Sequence, residues 1–158
     1  MRKDVIPTAI EIALETSEKT IAFGKQLATK LPPNSVLALF GELGAGKTTF
    51  VQGLALGLQI ISPIQSPTFN YLNIYQGTLP LHHFDLYRLR NSSDFLALGF
   101  EEYFEKEGIT VMEWSERILP LLPIKTLSIT FSYKNQGRIA TIASPFDLNL
   151  IESCSSWD

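Results

Sequence analysis

The chain has 158 residues, of which 45% are hydrophobic and 18% are charged, and its net charge is −3. This length is enough for one domain with its own core, and the composition excludes a disordered or fibrous protein. Broad binding to nucleic acid requires a concentrated basic face, so any contact with RNA is expected to be made through a partner.

The first third of the chain predicts a strand, a helix and a buried strand. Residues 8–13 alternate in polarity as a strand does, and Thr16 or Ser17 can cap a helix that ends at a pair of prolines. Residues 35–40 form a continuous apolar run, which is typical of a parallel strand covered on both faces. This strand leads directly into the sequence GELGAGKTT, residues 41–49.

The sequence GELGAGKTT matches the phosphate-loop pattern G-x-x-x-x-G-K-[ST] between a predicted strand and a predicted helix. Glycines allow backbone N–H groups to surround phosphate oxygens, and the N-terminus of the following helix adds positive potential. Lys47 is expected to reach the β- and γ-phosphates, Thr48 to ligate Mg²⁺ and Thr49 to contact the α-phosphate. The predicted nucleotide-binding residues of the loop are Glu42, Leu43, Gly44, Ala45, Gly46, Lys47, Thr48 and Thr49.

The segment after the phosphate loop predicts a helix, a connector and a hairpin. The helix begins at Lys47 and has apolar residues at helical spacing. Residues 59–67 contain two prolines and no helical period, so they predict a connector. Residues 69–76 and 79–86 predict two strands that pair as a hairpin and add an antiparallel section to the sheet.

The connector leads into the sequence SPTF, residues 66–69. GTPase-like proteins place at this point a threonine whose position depends on the γ-phosphate and its metal, so Thr68 is a predicted catalytic residue. A Ser-Pro turn that leads into a strand explains the same residues equally well.

The second half of the chain predicts two helices and three strands. Ser92 or Ser93 can cap a helix that carries apolar residues as far as Phe104 and stops at Gly108. A shorter helix is predicted over residues 115–119. The predicted strands are residues 109–112, which lead into Glu113, and the β-rich runs 126–133 and 138–143. The predicted fold is α/β, a single three-layer domain over residues 1–145 in which helices flank a mixed, mainly parallel central sheet. Residues 146–158 are predicted to form a flexible C-terminal tail.

Two carboxylates are candidates for a magnesium site, because Mg²⁺ prefers carboxylate and water oxygens. Asp85 lies in LHHFDLYRL, and Glu113 ends the apolar sequence ITVME. From these residues alone, Asp85 and Glu113 are almost equally good candidates for the metal ligand. The acid that does not bind the metal is left to orient water. Either carboxylate can instead belong to a surface ion pair.

Aromatic and imidazole side chains near these acids have less specific interpretations. His82 and His83 are adjacent, so on a strand they face opposite sides and cannot form a paired ligand site. They are expected to be structural, since no cysteine or further histidine completes a cluster. Trp114 either covers the nucleotide or fills the core.

The cysteine content and the hydropathy pattern predict a cytoplasmic protein. Cys154 is the only cysteine and can form no internal disulfide, which fits a reducing compartment. The apolar stretch near the N-terminus is interrupted by Pro7 and Glu11, which is a poor match to a signal peptide. No run of eighteen apolar residues occurs, so neither a membrane span nor a membrane partner is expected.

Five segments taken together resemble the TsaE family, formerly YjeE, over about residues 8–143. They are GELGAGKTT, SPTF, HFDLYRL, LGFEEYF and EWSER. The resemblance implies a P-loop NTPase-like fold and a small ATPase, weak alone, that bacteria need to make threonylcarbamoyladenosine in tRNA. It also implies ATP and Mg²⁺ as cofactors and a complex with the TsaB and TsaD proteins. TsaD performs the transfer to tRNA, so this chain is expected to reach tRNA only through the complex.

The resemblance also implies a role for each matching residue. In the family pattern, Lys47 and Thr48 bind phosphate and Mg²⁺, and Asp85 binds the metal. Thr68 belongs to a switch-like loop, and Glu113 and Trp114 form the wall of the active site. The metal ligands are thus Thr48 and Asp85, the catalytic residues are Lys47, Glu113 and Thr68, and Trp114 joins the nucleotide-binding residues.

Two positions depart from the family pattern, and one other function remains open. Ser115 stands where proline is common and Asn70 where threonine is common, and neither change removes a ligand. The alternative function is a free-standing small-molecule or nucleoside kinase with Asp85 or Glu113 as its base. The arginines are scattered, which argues against the arginine-rich lid of nucleotide kinases.

Overall fold

The structure is a computed structural model that describes residues 8–42, 44–67, 69–135 and 137–144. Its strands are β1 (Thr8–Leu14), β2 (Ser35–Phe40), β3 (Leu72–Tyr75), β4 (Leu81–Asp85), β5 (Ile109–Glu113), β6 (Leu127–Lys134) and β7 (Gly137–Ser144). Its α-helices are α1 (Ser17–Ala28), α2 (Lys47–Gly57) and α3 (Ser92–Ala97), and 3₁₀ helices cover Phe100–Glu105 and Ser115–Leu121. The predicted tail, with Cys154, lies outside the described residues.

The strands form one mixed sheet in the order β1-β7-β6-β2-β5-β4-β3. The central strands β6, β2, β5 and β4 pair in parallel, whereas β1, β7 and β6 at one edge and β3 and β4 at the other pair antiparallel. The predicted hairpin between residues 69–76 and 79–86 is confirmed as the β3–β4 pair. Because parallel strands end at the same edge of a sheet, β2, β4 and β5 deliver their last residues to one place.

Helices cover both faces of the sheet, which gives the three layers that the sequence predicts. On one face, α1 and α2 pack against Leu37, Leu39 and Val111. On the other face, α3 and the two 3₁₀ helices pack against Phe84 and Met112. The run of buried side chains along β2 therefore reflects burial on both faces rather than amphipathic alternation.

Glycines at the contact between α1 and α2 hold the second helix close to the first. A Cβ on Gly53 would lie 2.3 Å from the carbonyl oxygen of Ile21, and one on Gly24 would lie 2.5 Å from that of Phe50. Both distances are too short for a real contact. The close approach fixes α2, and with it the phosphate loop at its N-terminus, against the end of the sheet.

Three predicted elements have different bounds in the structure. The prediction of one continuous helix from Ser92 to Phe104 was wrong. Helix α3 ends at Ala97, and Gly99 adopts a left-handed φ of 74° before a separate 3₁₀ helix begins. The strand over residues 69–76 is limited to β3, since Tyr71 has a φ of 64° and interrupts the extended backbone. The helix predicted over residues 115–119 is a 3₁₀ helix that extends to Leu121.

Within the described part of the chain, the helices fall short of the length and apolar character that a membrane crossing requires.

Candidate active site

The predicted site residues converge because three parallel strands end side by side. β2 runs into the phosphate loop, β5 ends at Glu113 and β4 ends at Asp85. In the sheet register, Glu113 is level with Leu39 on one side and with Asp85 on the other. Residues far apart in sequence thus meet at one edge of the sheet, beside the N-terminus of α2.

The phosphate loop depends on glycine at positions with positive φ. Gly41, Gly44 and Gly46 have φ values of 132°, 79° and 109°. A Cβ on Gly41 would also lie 2.5 Å from the carbonyl oxygen of Phe131. These backbone angles turn the chain sharply between β2 and α2, as a loop that surrounds an anion with N–H groups requires.

The outer side of the loop is anchored to the hairpin of β6 and β7. The carbonyl oxygen of Gly44 accepts hydrogen bonds from the Tyr133 hydroxyl at 2.7 Å and from Nη2 of Arg138 at 3.2 Å. Neither Tyr133 nor Arg138 was predicted from the sequence. Their side chains fix a residue of the loop, which restricts the conformations of the loop.

A cavity of about 190 Å³ opens between the loop and the ends of β4 and β5. It is lined by Gly44, Gly46, Lys47, Thr48, Thr49, Ser66, Asp85, Glu113 and Trp114. Of the other predicted residues, Glu42 is exposed and Ala45 is buried, and neither is among the lining residues. Leu43 and Thr68 lie outside the described residues. The cavity therefore brings together eight of the predicted site residues and adds Ser66.

Lys47 places a nearly buried amine in this cavity. The side chain is 4% exposed, it donates a hydrogen bond to the carbonyl oxygen of Gly41, and Nζ lies 3.7 Å from the centroid of the Trp114 ring. Burial lowers the pKa of Lys47, and the carboxylates of Glu113, Glu116 and Asp85 oppose that shift. An ammonium group in such a site, where water solvates it poorly, is attracted strongly to an anionic ligand.

Glu113 is the centre of the polar network of the site. Its Oε1 accepts a hydrogen bond from the Thr48 hydroxyl at 2.9 Å. Its Oε2 lies 2.6 Å from Nε2 of His83 and 3.5 Å from the Ser66 hydroxyl. The Ser66 and Thr48 hydroxyl oxygens are 3.3 Å apart. Glu113 is only 3% exposed, so these contacts hold a buried carboxylate in one orientation.

Asp85 occupies a more open position beside Glu113. Its Oδ1 accepts a hydrogen bond from the backbone N–H of Tyr87 at 3.0 Å, and the residue is half-buried. Burial raises the pKa of Asp85 and the charge of Glu113 raises it further, whereas the Tyr87 N–H, His83 and Lys47 oppose the shift. Burial disfavours the charged form of this carboxyl group, and a cation bound beside it would stabilise that form.

The oxygen atoms in the cavity fit a magnesium ion. Thr48 donates its hydroxyl hydrogen to Glu113, so the lone pairs of the hydroxyl oxygen remain available, and Asp85 supplies a carboxylate nearby. Hard oxygen donors of this kind are those that Mg²⁺ prefers. Among the described residues, no group of three or more His, Cys, Asp or Glu side chains could hold a metal ion. Such a sparse protein ligand set is usual for Mg²⁺, which keeps several waters and shares phosphate oxygens.

Trp114 adopts a backbone conformation that is unusual for a bulky residue. Its φ and ψ are 60° and 42°, in the left-handed region, and its ring lies 5.0 Å from that of Tyr87. The buried Ser115 hydroxyl donates to the carbonyl oxygen of Met112 at 2.7 Å, which closes the backbone around this turn. The turn directs the Trp114 ring over Lys47 as one wall of the cavity. The Ser115 side chain thus has a defined structural partner.

Sequence reasoning missed Ser66 and misjudged the surroundings of His83. The two adjacent histidines do face opposite sides of the sheet, as predicted, since His82 contacts Thr110 while His83 contacts Glu113. The spacing of His83 and Asp85 was the available signal, because residues two apart on a strand share a face. Ser66 begins the SPTF segment that the sequence singles out, but within that segment only Thr68 was predicted as a site residue.

Residues 14–140 match the family described as "Threonylcarbamoyl adenosine biosynthesis protein TsaE". A relative from Nostoc sp., named "tRNA threonylcarbamoyladenosine biosynthesis protein TsaE", is 41% identical over 145 residues, which cover 89% of this chain and 88% of the relative. A relative of the same name from Bacillus subtilis is 44% identical over 113 residues, which cover 71% and 70%. The crystal structure of B. subtilis YdiB superposes with a TM-score of 0.78 at 33% identity, covering 96% of this chain and 97% of YdiB.

Proposed function

The chain belongs to the TsaE family of threonylcarbamoyl adenosine biosynthesis proteins, and from this membership we propose that it is an ATP-binding and ATP-hydrolysing accessory subunit. It is required for threonylcarbamoyladenosine modification of the tRNA adenosine next to the anticodon. It acts in the cytoplasm with TsaB and TsaD and reaches tRNA only through that complex.

One observation carries this proposal: Lys47, Thr48 and Glu113 line a single cavity at the N-terminus of α2. The amine, the helix N-terminus and the loop N–H groups are the features that recognise a polyphosphate. The hydrogen bond between Thr48 and Glu113 links the phosphate-binding helix to a buried carboxylate. A site that only bound phosphate would have no need of this buried acid.

In this proposal, the residues of the chain divide into those that bind and those that act. The loop N–H groups cradle the phosphates, and Lys47 exchanges its bond to the Gly41 carbonyl for phosphate oxygens. Thr48 and Asp85 would hold Mg²⁺, and the ion would supply positive charge beside the phosphates. Glu113 orients the attacking water, and its Oε2 partners keep it in place during that role.

The SPTF segment couples the bound nucleotide to the partners. Ser66 contacts Thr48 and Glu113 at its start, and Thr68 responds to the γ-phosphate. Loss of the terminal phosphate releases this segment and the neighbouring Asp85 region, which resets a partner between catalytic cycles. The same partners supply charge or geometry that accelerates hydrolysis, as activating proteins do for other P-loop NTPases.

A free-standing small-molecule or nucleoside kinase is not favoured. The relatives are named as tRNA modification proteins, and the alignments with this chain cover most of their length.

Turnover measured with and without partners tests the proposal. We expect slow phosphate release from ATP by the chain alone, none above background in EDTA, and stimulation of at least about 10-fold when TsaB and TsaD are added. A reconstituted reaction with tRNA should form threonylcarbamoyladenosine repeatedly only when this chain and ATP are both present. An unchanged hydrolysis rate together with modification that does not need the chain would refute the proposal.

A further inference from the structure

We propose that His83 is a positioning residue for Glu113, which it holds in the orientation needed for hydrolysis. This inference rests on the proposed function, in which Glu113 orients the attacking water. It departs from the expectation that both adjacent histidines are structural. It assigns different work to two neighbours of equal chemistry, so each can serve as a control for the other.

The sheet register brings His83 to Glu113. Asp85 on β4 is level with Glu113 on β5, and His83 is level with Val111, so His83 and Glu113 are diagonal neighbours on the same face. Nε2 of His83 lies 2.6 Å from Oε2 of Glu113, and the two residues are 0% and 3% exposed. A short hydrogen bond between two buried groups is strong, because the low local dielectric strengthens it.

His83 directs its hydrogen bonding to Glu113 alone. Within the described residues, Nδ1 of His83 is buried and has no hydrogen-bond partner. Its Nε2 faces Oε2 of Glu113 at hydrogen-bond distance, so the two atoms share one hydrogen. The ring therefore contributes one directed bond, to Oε2 of Glu113.

His82 shows what a structural histidine in this sheet looks like. It is 4% exposed, its Nδ1 lies 3.1 Å from the Thr110 hydroxyl, and its ring packs edge-on against Tyr103 at 5.0 Å. These contacts lie on the face of the sheet opposite to that of His83 and Glu113. His82 and His83 thus share residue type, strand and burial, but only His83 touches the network around Glu113.

The division of contacts on Glu113 explains why His83 is needed. Thr48 occupies Oε1, whereas Oε2 is held by His83 at 2.6 Å and by Ser66 at the much longer distance of 3.5 Å. A bond of 3.5 Å is too weak to fix the carboxylate. Without His83 the Thr48 bond to Oε1 is the one short contact left among the described residues, so the carboxyl group of Glu113 can rotate about it. Catalysis is then impaired while the phosphate contacts of Lys47 and the loop remain.

Two pairs of amide substitutions test this assignment. Glutamine places its amide N–H₂ near the position of Nε2, and asparagine places it near Nδ1. His83→Gln should therefore keep the bond to Glu113, whereas His83→Asn should lose it. We expect His83→Asn to lower kcat for ATP about 10- to 100-fold with the KM for ATP within about 3-fold, and His83→Gln to recover most of kcat.

The matched controls are His82→Gln and His82→Asn. Because His82 bonds through Nδ1, asparagine is the better replacement there, and either variant should leave kcat within about 2-fold even where Tm falls. Equal kcat values for His83→Gln and His83→Asn would overturn the proposal. So would a loss of kcat in the His82 variants as large as in His83→Asn.

Imidazole ¹⁵N NMR of the full chain tests the pairing without any need for activity. We expect a proton on Nε2 of His83, shifted to low field, and a change in its shift in Glu113→Gln. A proton on Nδ1 instead would overturn the proposal. If the chain with its partners hydrolyses no ATP, the proposed function fails, and the NMR result still decides whether His83 holds Glu113.

Discussion

The hydroxyl of Thr48 donates a hydrogen bond of 2.9 Å to Oε1 of Glu113. This contact joins the second residue of α2 to the last residue of β5 and connects the phosphate loop to the catalytic carboxylate of the proposed mechanism. Binding and hydrolysis are thereby assigned to different residues around one cavity, and substitutions at those residues should separate the two.

Replacement of Glu113 by glutamine should separate binding from hydrolysis. The amide keeps the size of the side chain and an oxygen for Thr48, but it cannot take a proton from water. We expect Glu113→Gln to bind ATP within about 3-fold of the original affinity and to lose at least about 100-fold in kcat. Calorimetry and a phosphate-release assay measure the two quantities. Glu116→Gln, a change at an exposed neighbouring acid, is the control, and loss of ATP binding by Glu113→Gln would show the assignment to be wrong.

Replacement of Lys47 by alanine should abolish retention of ATP. The buried amine of Lys47 is a donor that lines the cavity, and it lies over the ring of Trp114. Charge-assisted hydrogen bonds to phosphate are strong, so we expect ATP affinity to fall by about 100-fold or more. Lys25→Ala, which removes an exposed lysine from α1, should leave the affinity unchanged. ATP affinity equal in the two variants would contradict the role of Lys47.

Replacement of Asp85 by asparagine should have opposite effects on metal use and on stability. The variant loses a carboxylate at the proposed metal site, so we expect the Mg²⁺ concentration for half-maximal hydrolysis to rise by about 10-fold. A metal requirement that changes in Glu113→Gln but not in Asp85→Asn would make Glu113 the principal metal ligand.

The stability effect of the same variant should depend on pH in a defined direction. Burial raises the pKa of Asp85 above its usual value of 3.8, so above pH 3.8 the folded chain binds more protons at this site than the unfolded chain does. The free energy of unfolding therefore falls as pH rises through the folded pKa. The substituted asparagine has no charge to bury, and its Oδ1 can still accept a hydrogen bond from Tyr87. Denaturant unfolding from pH 3 to pH 7, without nucleotide, should show Asp85→Asn gaining stability relative to the original chain as pH rises, and a gain that is largest at pH 3 would contradict the account.

Two glycine substitutions should differ in cost because their surroundings differ. Gly41 and Gly99 have φ values of 132° and 74°, but a Cβ on Gly41 would meet the Phe131 carbonyl oxygen at 2.5 Å, whereas one on Gly99 would meet nothing within 4 Å. We expect Gly99→Ala to cost about 1 kcal/mol of unfolding free energy and Gly41→Ala about 3 kcal/mol or more. Urea denaturation measures both. Equal losses would mean that the loop can move away from β6.

The order of helices and strands could be predicted from the sequence because it depends on local patterns. The continuous apolar run of β2 and the glycine-rich loop after it specify their own conformations. The break at Gly99 was missed because apolar residues continue at helical spacing on both sides of it, while only the glycine permits the left-handed turn. Tyr71 has a φ of 64° and delays the start of β3 to Leu72 against its own strand propensity, which local reasoning does not anticipate.

The members of the active site were easier to predict than the contacts between them. Asp85 and Glu113 could be selected as acids that end strands, but the sequence left the metal role open between them. The bonds of Thr48 and His83 to Glu113 depend on the parallel pairing of β4 with β5 and on the placement of α2, which are tertiary features. The anchoring of Gly44 by Tyr133 and Arg138 is non-local for the same reason.

Calorimetric titration of Mg-ATP into the purified full chain tests the central claim most directly. The account predicts saturable binding at one site in the original chain and none in Lys47→Ala at the same concentrations. A folded original chain that gives no saturable binding of Mg-ATP would contradict it.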